Sequence, residues 1–325
     1  MANLDTNIRT VLSHILPTLT ARLSSPNPNT PIILGITGLQ GSGKSTWASH
    51  IVSILSSPPY NLSTITISLD DLYKTHADLV ARRDADPSNA LYRTRGQPGT
   101  HEEELARRFF GELRAWDGEG ELKVPRFDKS CFGGEGDRAP REEWEVVERK
   151  PDVVVFEGWC VGFQAIGERE IVEKRERAER EKGSGEEELS ITTLADHEVK
   201  HLKEVDEGLM RYSEAFMGPE HFDFLVHIDT DDLRNVYRWR LQQEHAMIEK
   251  KGSGMKDEAV VAFVKGYMPG YELYLDGLRK GFFEPGSGRQ VRVVLDRERN
   301  VEKVEVIWGN PYPSSTHPVD EGQSR

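Results

Sequence analysis

The segment Gly38-Leu39-Gln40-Gly41-Ser42-Gly43-Lys44-Ser45 constrains the fold more than any other feature of this chain. It matches the P-loop pattern G-x-x-x-x-G-K-[ST] in full, and that pattern binds phosphate when it lies between a strand and a helix. An apolar run at 32–36 precedes it, and apolar residues recur at helical spacing over 47–55 after it. The segment therefore predicts a strand, a glycine-rich turn and a helix, which is how a βαβ unit begins.

Each residue type in this turn has a physical role. Glycines let backbone N–H groups turn inward around phosphates, and the start of the following helix favours the same anion. Lys44 is expected to reach the β- and γ-phosphates, and the Ser45 hydroxyl to ligate Mg²⁺. The sequence predicts a nucleotide site made by Gly38, Gly41, Ser42, Gly43, Lys44, Ser45 and Thr46. The alternative is a flexible Gly/Ser turn without a ligand.

Further along the chain, short apolar runs alternate with segments of helical spacing. Strands are expected at 64–69, 153–156, 224–228 and 291–295. Helices are expected at 7–23, at 101–116, from residue 231 onward, and at 260–268 with a break near Pro269. This order predicts an α/β fold with a doubly wound, mostly parallel sheet, helices on both faces and a helical lid.

Two polar stretches fall outside this pattern. Residues from about 168 to 190 are nearly all charged, and such a composition cannot bury enough apolar surface to hold a fixed fold alone. We interpret this stretch as a surface insertion in a single domain over residues 1–312. Residues 313–325 are expected to form a disordered tail.

Acidic residues end two of the predicted strands. Asp70 and Asp71 follow the strand at 64–69, and Glu157 follows the strand at 153–156. The carboxyl ends of parallel strands converge on the ligand crevice, where a carboxylate can orient an acceptor hydroxyl and take its proton. We assign that role to Asp70, with Asp71 in reserve, and we expect Glu157 to hold Mg²⁺ together with Ser45. The alternatives are that the aspartates cap the next helix and that Glu157 is a solvated strand end.

Arginines on the helix predicted from residue 231 form another candidate group. Arg234 and Arg238 are four residues apart on one face, where they are placed to close over phosphates and neutralise transition-state charge. The alternative is a solvated helix surface. The chain has neither the NKxD sequence by which GTPase switch proteins bind guanine nor the LSGGQ-type signature of transporter ATPases. These two classes of P-loop protein are therefore disfavoured. A kinase of a small alcohol is the interpretation that remains favoured.

The overall charge limits the partners. A balance of 42 basic against 55 acidic residues leaves a net charge of -13, which repels nucleic acid and anionic membranes at long range. Cys131 and Cys160 form no CxxC pair, and no run approaches the roughly 18 apolar residues of a membrane span. We expect a cytoplasmic protein that binds neither nucleic acid nor membrane. A weak organelle presequence is the alternative, because the Ser/Thr-rich start of the chain contains little acidic charge.

Several motifs together resemble the D-glycerate 3-kinases of plants and fungi, within the superfamily of uridine kinase, phosphoribulokinase and pantothenate kinase. The resemblance covers about residues 32 to 300. It rests on GITGLQGSGKST, SLDDLYKTHAD, NALYRTRGQPGTHE, VPRFDKSCFGGEGDR, FEGWCVGF, and VYRWRLQQE followed by GYMPGYELY. The P-loop is shared by many proteins, whereas the combination of RGQPGTHE, PRFDKS and FEGWCVGF is more specific. The stretch at 168–190 departs from the pattern of the plant members by being longer and more charged.

The resemblance implies a P-loop kinase fold, ATP and Mg²⁺ as cosubstrates, and D-glycerate as the acceptor. It places Asp70 at the catalytic aspartate and Arg234 and Arg238 in the lid, with the segment 95–101 in the acceptor pocket. A carboxylate acceptor needs local positive charge in an acidic protein, and the candidates are Arg95, Arg126, Lys129 and Arg138. The alternatives are a kinase of another hydroxyl compound, such as uridine or pantothenate, and an ATP-binding regulator with little kinase activity.

Overall fold

The structure, a computed structural model, describes residues 2–24, 30–182 and 189–309 of the chain. Strands and helices alternate along these ranges. The strands are β1 Ile32–Gly38, β2 Thr64–Ser68, β3 Leu122–Val124, β4 Phe127–Asp128, β5 Asp137–Arg138, β6 Glu145–Val147, β7 Val153–Gly158, β8 Phe224–Asp229, β9 Gln290–Leu295 and β10 Val301–Ile307. The helices are α1 Ala2–Leu23, α2 Lys44–Ser56, α3 His76–Ala85, α4 Glu103–Ala115, α5 Gly167–Glu181, α6 Val199–Tyr212, α7 Arg234–Lys251, α8 Asp257–Lys265 and α9 Met268–Lys280.

A six-stranded sheet forms the centre of the molecule, in the order β10-β9-β8-β1-β7-β2. Its strands pair in parallel except for β10, which runs antiparallel to β9. All residues of β1, β7 and β8 are buried, because these uninterrupted apolar strands are covered on both faces. The mostly parallel α/β sheet with helices around it is therefore confirmed.

The register of the central strands brings the candidate residues to one edge of the sheet. Glu157 near the end of β7 pairs with Ile36 of β1 on one side and with Ser68 of β2 on the other. Gly38, the last residue of β1, begins the glycine-rich turn. The convergence of strand ends predicted from the sequence is thus a property of the backbone itself.

Two predicted helical features agree with the structure. Helix α1 packs against the edge strand β10 and against α2, and its apolar face is buried. The break predicted near Pro269 lies between α8 and α9, so that Pro269 falls in the first turn of α9. Proline is tolerated there because the N–H that it lacks would have no helical partner.

The charged stretch is more ordered than its composition suggested. Helix α5 buries Ile171 and Ala178, which are seven residues apart on one face, and it packs against α6. Lys174 donates to the carbonyl oxygens of Glu272 and Leu273 at 3.2 and 2.9 Å. The helical part of this stretch is therefore held in place by its contacts with the rest of the fold. Residues 183–188 and the predicted tail at 313–325 lie outside the described residues.

Short strands that the sequence patterns did not predict build an arm beside the sheet. β4 and β5 pair antiparallel, with Phe127 opposite Arg138, and they enclose the loop 129–136. We call residues 127–138 the hairpin arm. β3 and β6 form a second two-stranded ladder. Within the described ranges no helix is both long and apolar enough to cross a bilayer.

Candidate active site

The glycine-rich turn has the backbone shape that a phosphate cradle requires. Gly41 and Gly43 have φ values of 80° and 91°, in the left-handed region that favours glycine. A Cβ on Gly41 would lie 2.8 Å from the Cβ of Trp239, so no side chain fits there. Helix α2 begins at Lys44 without a side-chain cap at Gly43, which leaves the N–H groups of its first turn to a ligand.

A cavity of about 250 Å³ opens at this turn, and we call it the P-loop cavity. It is lined by Gln40, Gly41, Gly43, Lys44, Ser45, Thr46, Ser68, Asp70, Lys129, Glu157, Gly158, Trp159 and Gln243. The hydroxyl of Ser42 is buried beside it and has no hydrogen-bond partner in the described part of the chain. Removal from water lowers the pKa of the Lys44 ammonium group, an effect that the carboxylates of Glu157 and Asp70 oppose.

Glu157 gathers oxygen atoms at the floor of this cavity. Its side chain is 7% exposed, and its Oε1 accepts hydrogen bonds from the hydroxyls of Ser45 and Ser68, both at 3.1 Å. No Lys or Arg of the described ranges forms an ion pair with it. A buried carboxylate with only neutral donors is costly, and these hard oxygen donors suit Mg²⁺. The described residues contain no group of three or more His, Cys, Asp or Glu that could hold a metal, so further ligands would come from a nucleotide or water.

Asp70 lies in the turn after β2 with both carboxylate oxygens engaged. Its Oδ1 accepts from the Tyr73 hydroxyl at 2.9 Å, and its Oδ2 accepts from the Lys129 ammonium. Burial alone would raise the pKa of Asp70, but Lys129 and Tyr73 outweigh it, so the pKa is lowered and the group is ionised at neutral pH.

Asp71 has a different environment. Its Oδ1 accepts from the backbone N–H of Phe127 at 3.3 Å, burial raises its pKa, and it does not line the P-loop cavity. Of the two aspartates considered from the sequence, Asp70 is therefore the one that faces the P-loop.

A second cavity of about 450 Å³ adjoins the first, and we call it the adjacent cavity. It shares Gln40, Asp70 and Lys129 with the P-loop cavity, so the Asp70 carboxylate lies at the junction of the two. Arg95 and Arg240 add positive charge to its wall. Its other lining residues are Tyr73, Thr94, Gly134, Met255, Phe263 and Tyr267.

Tyr73 packs against the buried ring of His101, which in turn contacts the buried Tyr212. His101 stacks on Tyr73 with 4.4 Å between ring centroids, and Nδ1 of His101 lies 2.9 Å from the Tyr212 hydroxyl. The same hydroxyl accepts the backbone N–H of Gly99 at 2.6 Å and of His101 at 2.9 Å. Burial lowers the pKa of His101 to about 3, so the ring is neutral. This packing fixes the segment 95–101 against the turn that carries Asp70.

Four arginines predicted for the site line neither cavity, namely Arg126, Arg138, Arg234 and Arg238. Arg126 is 54% exposed and lies 3.8 Å from Glu143, while Arg138 donates to the carbonyl oxygen of Tyr73 at 2.8 Å. Glu143 and the Tyr73 carbonyl take up these two side chains, and Arg138 thereby supports the Tyr73 backbone rather than facing a ligand.

The predicted lid arginines are also directed elsewhere. Arg238 donates to Asp232 at 3.1 Å and to Asn235 at 2.7 Å, and Arg234 lies 3.9 Å from Asp232. Two residues after Arg238 along α7, Arg240 does line the adjacent cavity. The helix was identified correctly from the sequence, but Arg240 lies on a different face from Arg234 and Arg238, and Asp232 holds those two arginines.

Several contacts at the site had no usable sequence signal. The Tyr271 hydroxyl accepts the backbone N–H of Gln40 at 2.9 Å. Arg299 donates from Nε to the carbonyl oxygen of Gly41 at 2.8 Å and from Nη2 to that of Trp239 at 2.9 Å, and so joins the glycine turn to α7. Tyr73 is the exception, since its position three residues after Asp70 is the helical spacing at which side chains meet.

Comparison with known proteins agrees with this geometry. No family model matches the sequence. The chain is 36% identical over 273 residues to the uncharacterized kinase mug58 of Schizosaccharomyces pombe, covering 83% of this chain and 89% of the relative. It is 32% identical over 275 residues to the chloroplastic D-glycerate 3-kinase of Arabidopsis thaliana, covering 83% of this chain and 54% of that protein.

A solved structure is similar over nearly the whole chain. The D-glycerate 3-kinase from Cryptococcus neoformans var. grubii serotype A superposes with a TM-score of 0.77 and 32% sequence identity, covering 92% of this chain and 98% of the other. Sequence and fold therefore agree with the P-loop kinase fold and the mostly parallel sheet described above. This chain belongs to the D-glycerate 3-kinase family of ATP-dependent P-loop kinases, which phosphorylate small molecules.

Proposed function

We propose that this protein transfers the γ-phosphoryl group of ATP to a hydroxyl of D-glycerate. One observation carries the proposal: the ionised Asp70 carboxylate lies at the junction of the P-loop cavity and a second cavity whose wall holds Lys129, Arg95 and Arg240. An acid with an alcohol group suits a cavity that combines cationic side chains with a base. The names of the similar proteins from Arabidopsis and Cryptococcus support the same acceptor.

The P-loop residues are assigned to the nucleotide. Backbone N–H groups from Gly41 to Ser45 and the unpartnered Ser42 hydroxyl would bind the phosphates, and the Lys44 ammonium would neutralise charge on the transferred group. Arg240 replaces Arg234 and Arg238 as the lid arginine facing the site, because it is the one that lines a cavity here.

Mg²⁺ fits the oxygen atoms collected around Glu157. Ser45 and Glu157 would hold the ion, with Ser68 keeping the carboxylate oriented. When bound, the ion would offset the negative charge of the phosphate oxygens.

Asp70 acts on the acceptor. Its carboxylate accepts a hydrogen bond from the acceptor hydroxyl and takes the proton as the oxygen bonds to the γ-phosphorus, while the bond to the β–γ bridging oxygen breaks and ADP leaves. The Tyr73 hydroxyl keeps Asp70 in this orientation. Since the pKa of Asp70 is lowered, the carboxylate works mainly by orienting the alcohol before a late proton transfer.

Purified protein assayed for ADP release with D-glycerate, uridine and pantothenate in parallel tests the proposal. We expect turnover that requires D-glycerate and Mg²⁺, and the position phosphorylated would be read from the product by phosphorus NMR. Faster turnover with uridine or pantothenate would identify that compound, and not D-glycerate, as the acceptor. No turnover with any of the three, in protein that binds ATP, would favour a regulatory ATP-binding protein. The cytoplasmic location and the absence of nucleic-acid and membrane partners remain predictions from the sequence.

A further inference from the structure

The hairpin arm holds Lys129 in a defined place. Arg138 at its base donates to the Tyr73 carbonyl, and Asp137 accepts the backbone N–H of His76 at 2.8 Å. The arm's tip is tied to Arg95, which donates to the carbonyl oxygens of Gly134, at 2.8 Å, and of Glu135. The arm is thus fixed to the same segment that carries Asp70, and its loop presents Lys129 to that carboxylate.

The ion pair between Lys129 and Asp70 opposes the role assigned to Asp70. The ammonium group occupies Oδ2 while Tyr73 occupies Oδ1, so each oxygen already accepts a hydrogen bond. A cation in contact with a carboxylate also lowers its affinity for a proton. Each oxygen keeps a second lone pair, but in this arrangement Asp70 is a weaker base toward an incoming alcohol.

This ion pair is nevertheless easy to exchange. Lys129 is 55% exposed and Asp70 is 33% exposed, and pairs between half-exposed groups contribute little to stability. The other two cations of the adjacent cavity have fixed partners: Arg95 holds the arm's carbonyl groups, and Arg240 lies 3.2 Å from the buried Glu244. Lys129 is therefore the cation of this cavity that a negatively charged acceptor can recruit at low cost.

We propose that Lys129 is an ion-pair switch that selects acid acceptors. It pairs with Asp70 when the adjacent cavity is empty and moves to the carboxylate of an acid acceptor, which frees Asp70 Oδ2 for the acceptor hydroxyl. This inference rests on the proposed function. A neutral alcohol of the same size cannot draw the ammonium away, so it meets a base that is still paired with a cation. Water in a site without an acceptor meets the same obstacle, which limits unproductive hydrolysis of ATP.

A competing role for Lys129 follows from its position. It lines the P-loop cavity as well as the adjacent cavity, so its ammonium could instead follow the transferred phosphoryl group. The two roles differ in one measurable respect. A contact to the phosphoryl group helps every acceptor equally, whereas a contact to the acceptor carboxylate helps acids alone.

The experiment compares acceptors that carry one half of D-glycerate each. Glycerol has the terminal hydroxyl without the carboxylate, and D-lactate has the carboxylate without the terminal hydroxyl. For Lys129→Met we expect the ratio of kcat/KM with D-glycerate to kcat/KM with glycerol to fall about 10- to 100-fold, the loss of one charge-assisted contact. The inhibition constant of D-lactate against D-glycerate should rise about tenfold, and ATP hydrolysis without an acceptor should increase.

Two further variants serve as controls. Lys129→Arg keeps the charge and should keep the acceptor ratio within about threefold of wild type. Arg126→Met removes a charge from the residue just before the arm, but the Arg126 side chain lies near Glu143 and lines neither cavity, so this variant should change neither the ratio nor D-lactate inhibition. An unchanged acceptor ratio or an unchanged D-lactate inhibition constant in Lys129→Met would overturn the switch. If the wild-type protein does not phosphorylate D-glycerate, the proposed function itself is refuted.

Discussion

Replacement of Asp70 by Asn should abolish most turnover while leaving the nucleotide site intact. Asn has nearly the same shape and keeps an oxygen that can accept the Tyr73 hydroxyl, but it cannot take a proton. A positioned base contributes about 10²- to 10⁴-fold, so kcat should fall by that factor, which equals about 2.7 to 5.4 kcal/mol of transition-state stabilisation. Because the role proposed for Asp70 is toward the acceptor rather than the nucleotide, the affinity for ATP should change by a few-fold at most.

The effect on folding should be much smaller than the effect on catalysis. The substitution removes the ion pair with Lys129, and a pair this exposed contributes at most about 1 kcal/mol. For a chain of this size the expected decrease in Tm is therefore no more than about 2–4 °C. Thermal unfolding, titration with a non-hydrolysable ATP analogue and steady-state kinetics together separate the three quantities.

Asp71→Asn is the matched control. The remaining amide oxygen can still accept the Phe127 N–H, and the side chain lies outside the P-loop cavity, so kcat should stay within a few-fold of wild type. The assignment of the base fails if Asp70→Asn retains more than about a third of wild-type kcat. It also fails if both variants lose activity equally.

Three further predictions concern the nucleotide, the metal and acid stability. Gly41→Ala should weaken ATP binding at least about tenfold in calorimetry, because its Cβ would lie 2.8 Å from the Cβ of Trp239. Gly43→Ala is the control, since Gly43 has a positive φ as well but its Cβ would meet no atom within 4 Å. Equal losses of affinity in the two variants would refute the clash as the cause. Glu157→Gln should raise the Mg²⁺ concentration for half-maximal activity about tenfold, and an unchanged Mg²⁺ dependence would remove Glu157 from the metal site. Burial lowers the pKa of His101 to about 3 and of His227 to about 4, so both rings stay neutral in the fold while the unfolded chain takes up protons near pH 6.5. The contribution of these two rings to the free energy of unfolding is therefore complete above pH 6.5. Below pH 6.5 the free energy of unfolding should fall by roughly 1.4 kcal/mol per pH unit for each ring. Urea unfolding at pH 7 and pH 5 would measure this decrease, and a higher stability at pH 5 would contradict it.

The parts of the site that the sequence predicted are those set by backbone order. The P-loop is local, since strand, turn and helix adjoin in the chain, and its motif needs no distant contact. The positions of Asp70 and Glu157 followed because parallel strands end at a common edge. These residues keep their predicted places while their chemical roles remain a proposal.

The parts that could not be predicted depend on which partner a long side chain selects. Arg234 and Arg238 have the spacing of a lid, but the nearby Asp232 holds them away from the cavities. Lys129 and Arg126 lie three residues apart with the same charge, yet Lys129 pairs with Asp70 from the loop of the hairpin arm, whereas Arg126, just before the arm, lies near Glu143. Two-residue strands carry no periodicity that a sequence pattern can detect.

The contact from Arg299 to Gly41 joins residues 258 positions apart. During translation, at about 5 to 20 residues per second, the glycine turn is synthesised roughly 13 to 50 s before the arginine that contacts it. Until then the turn lacks its link to α7 and the sheet lacks its last strands. A nascent or truncated chain should therefore bind ATP weakly, so that retention on immobilised nucleotide distinguishes finished molecules from incomplete ones.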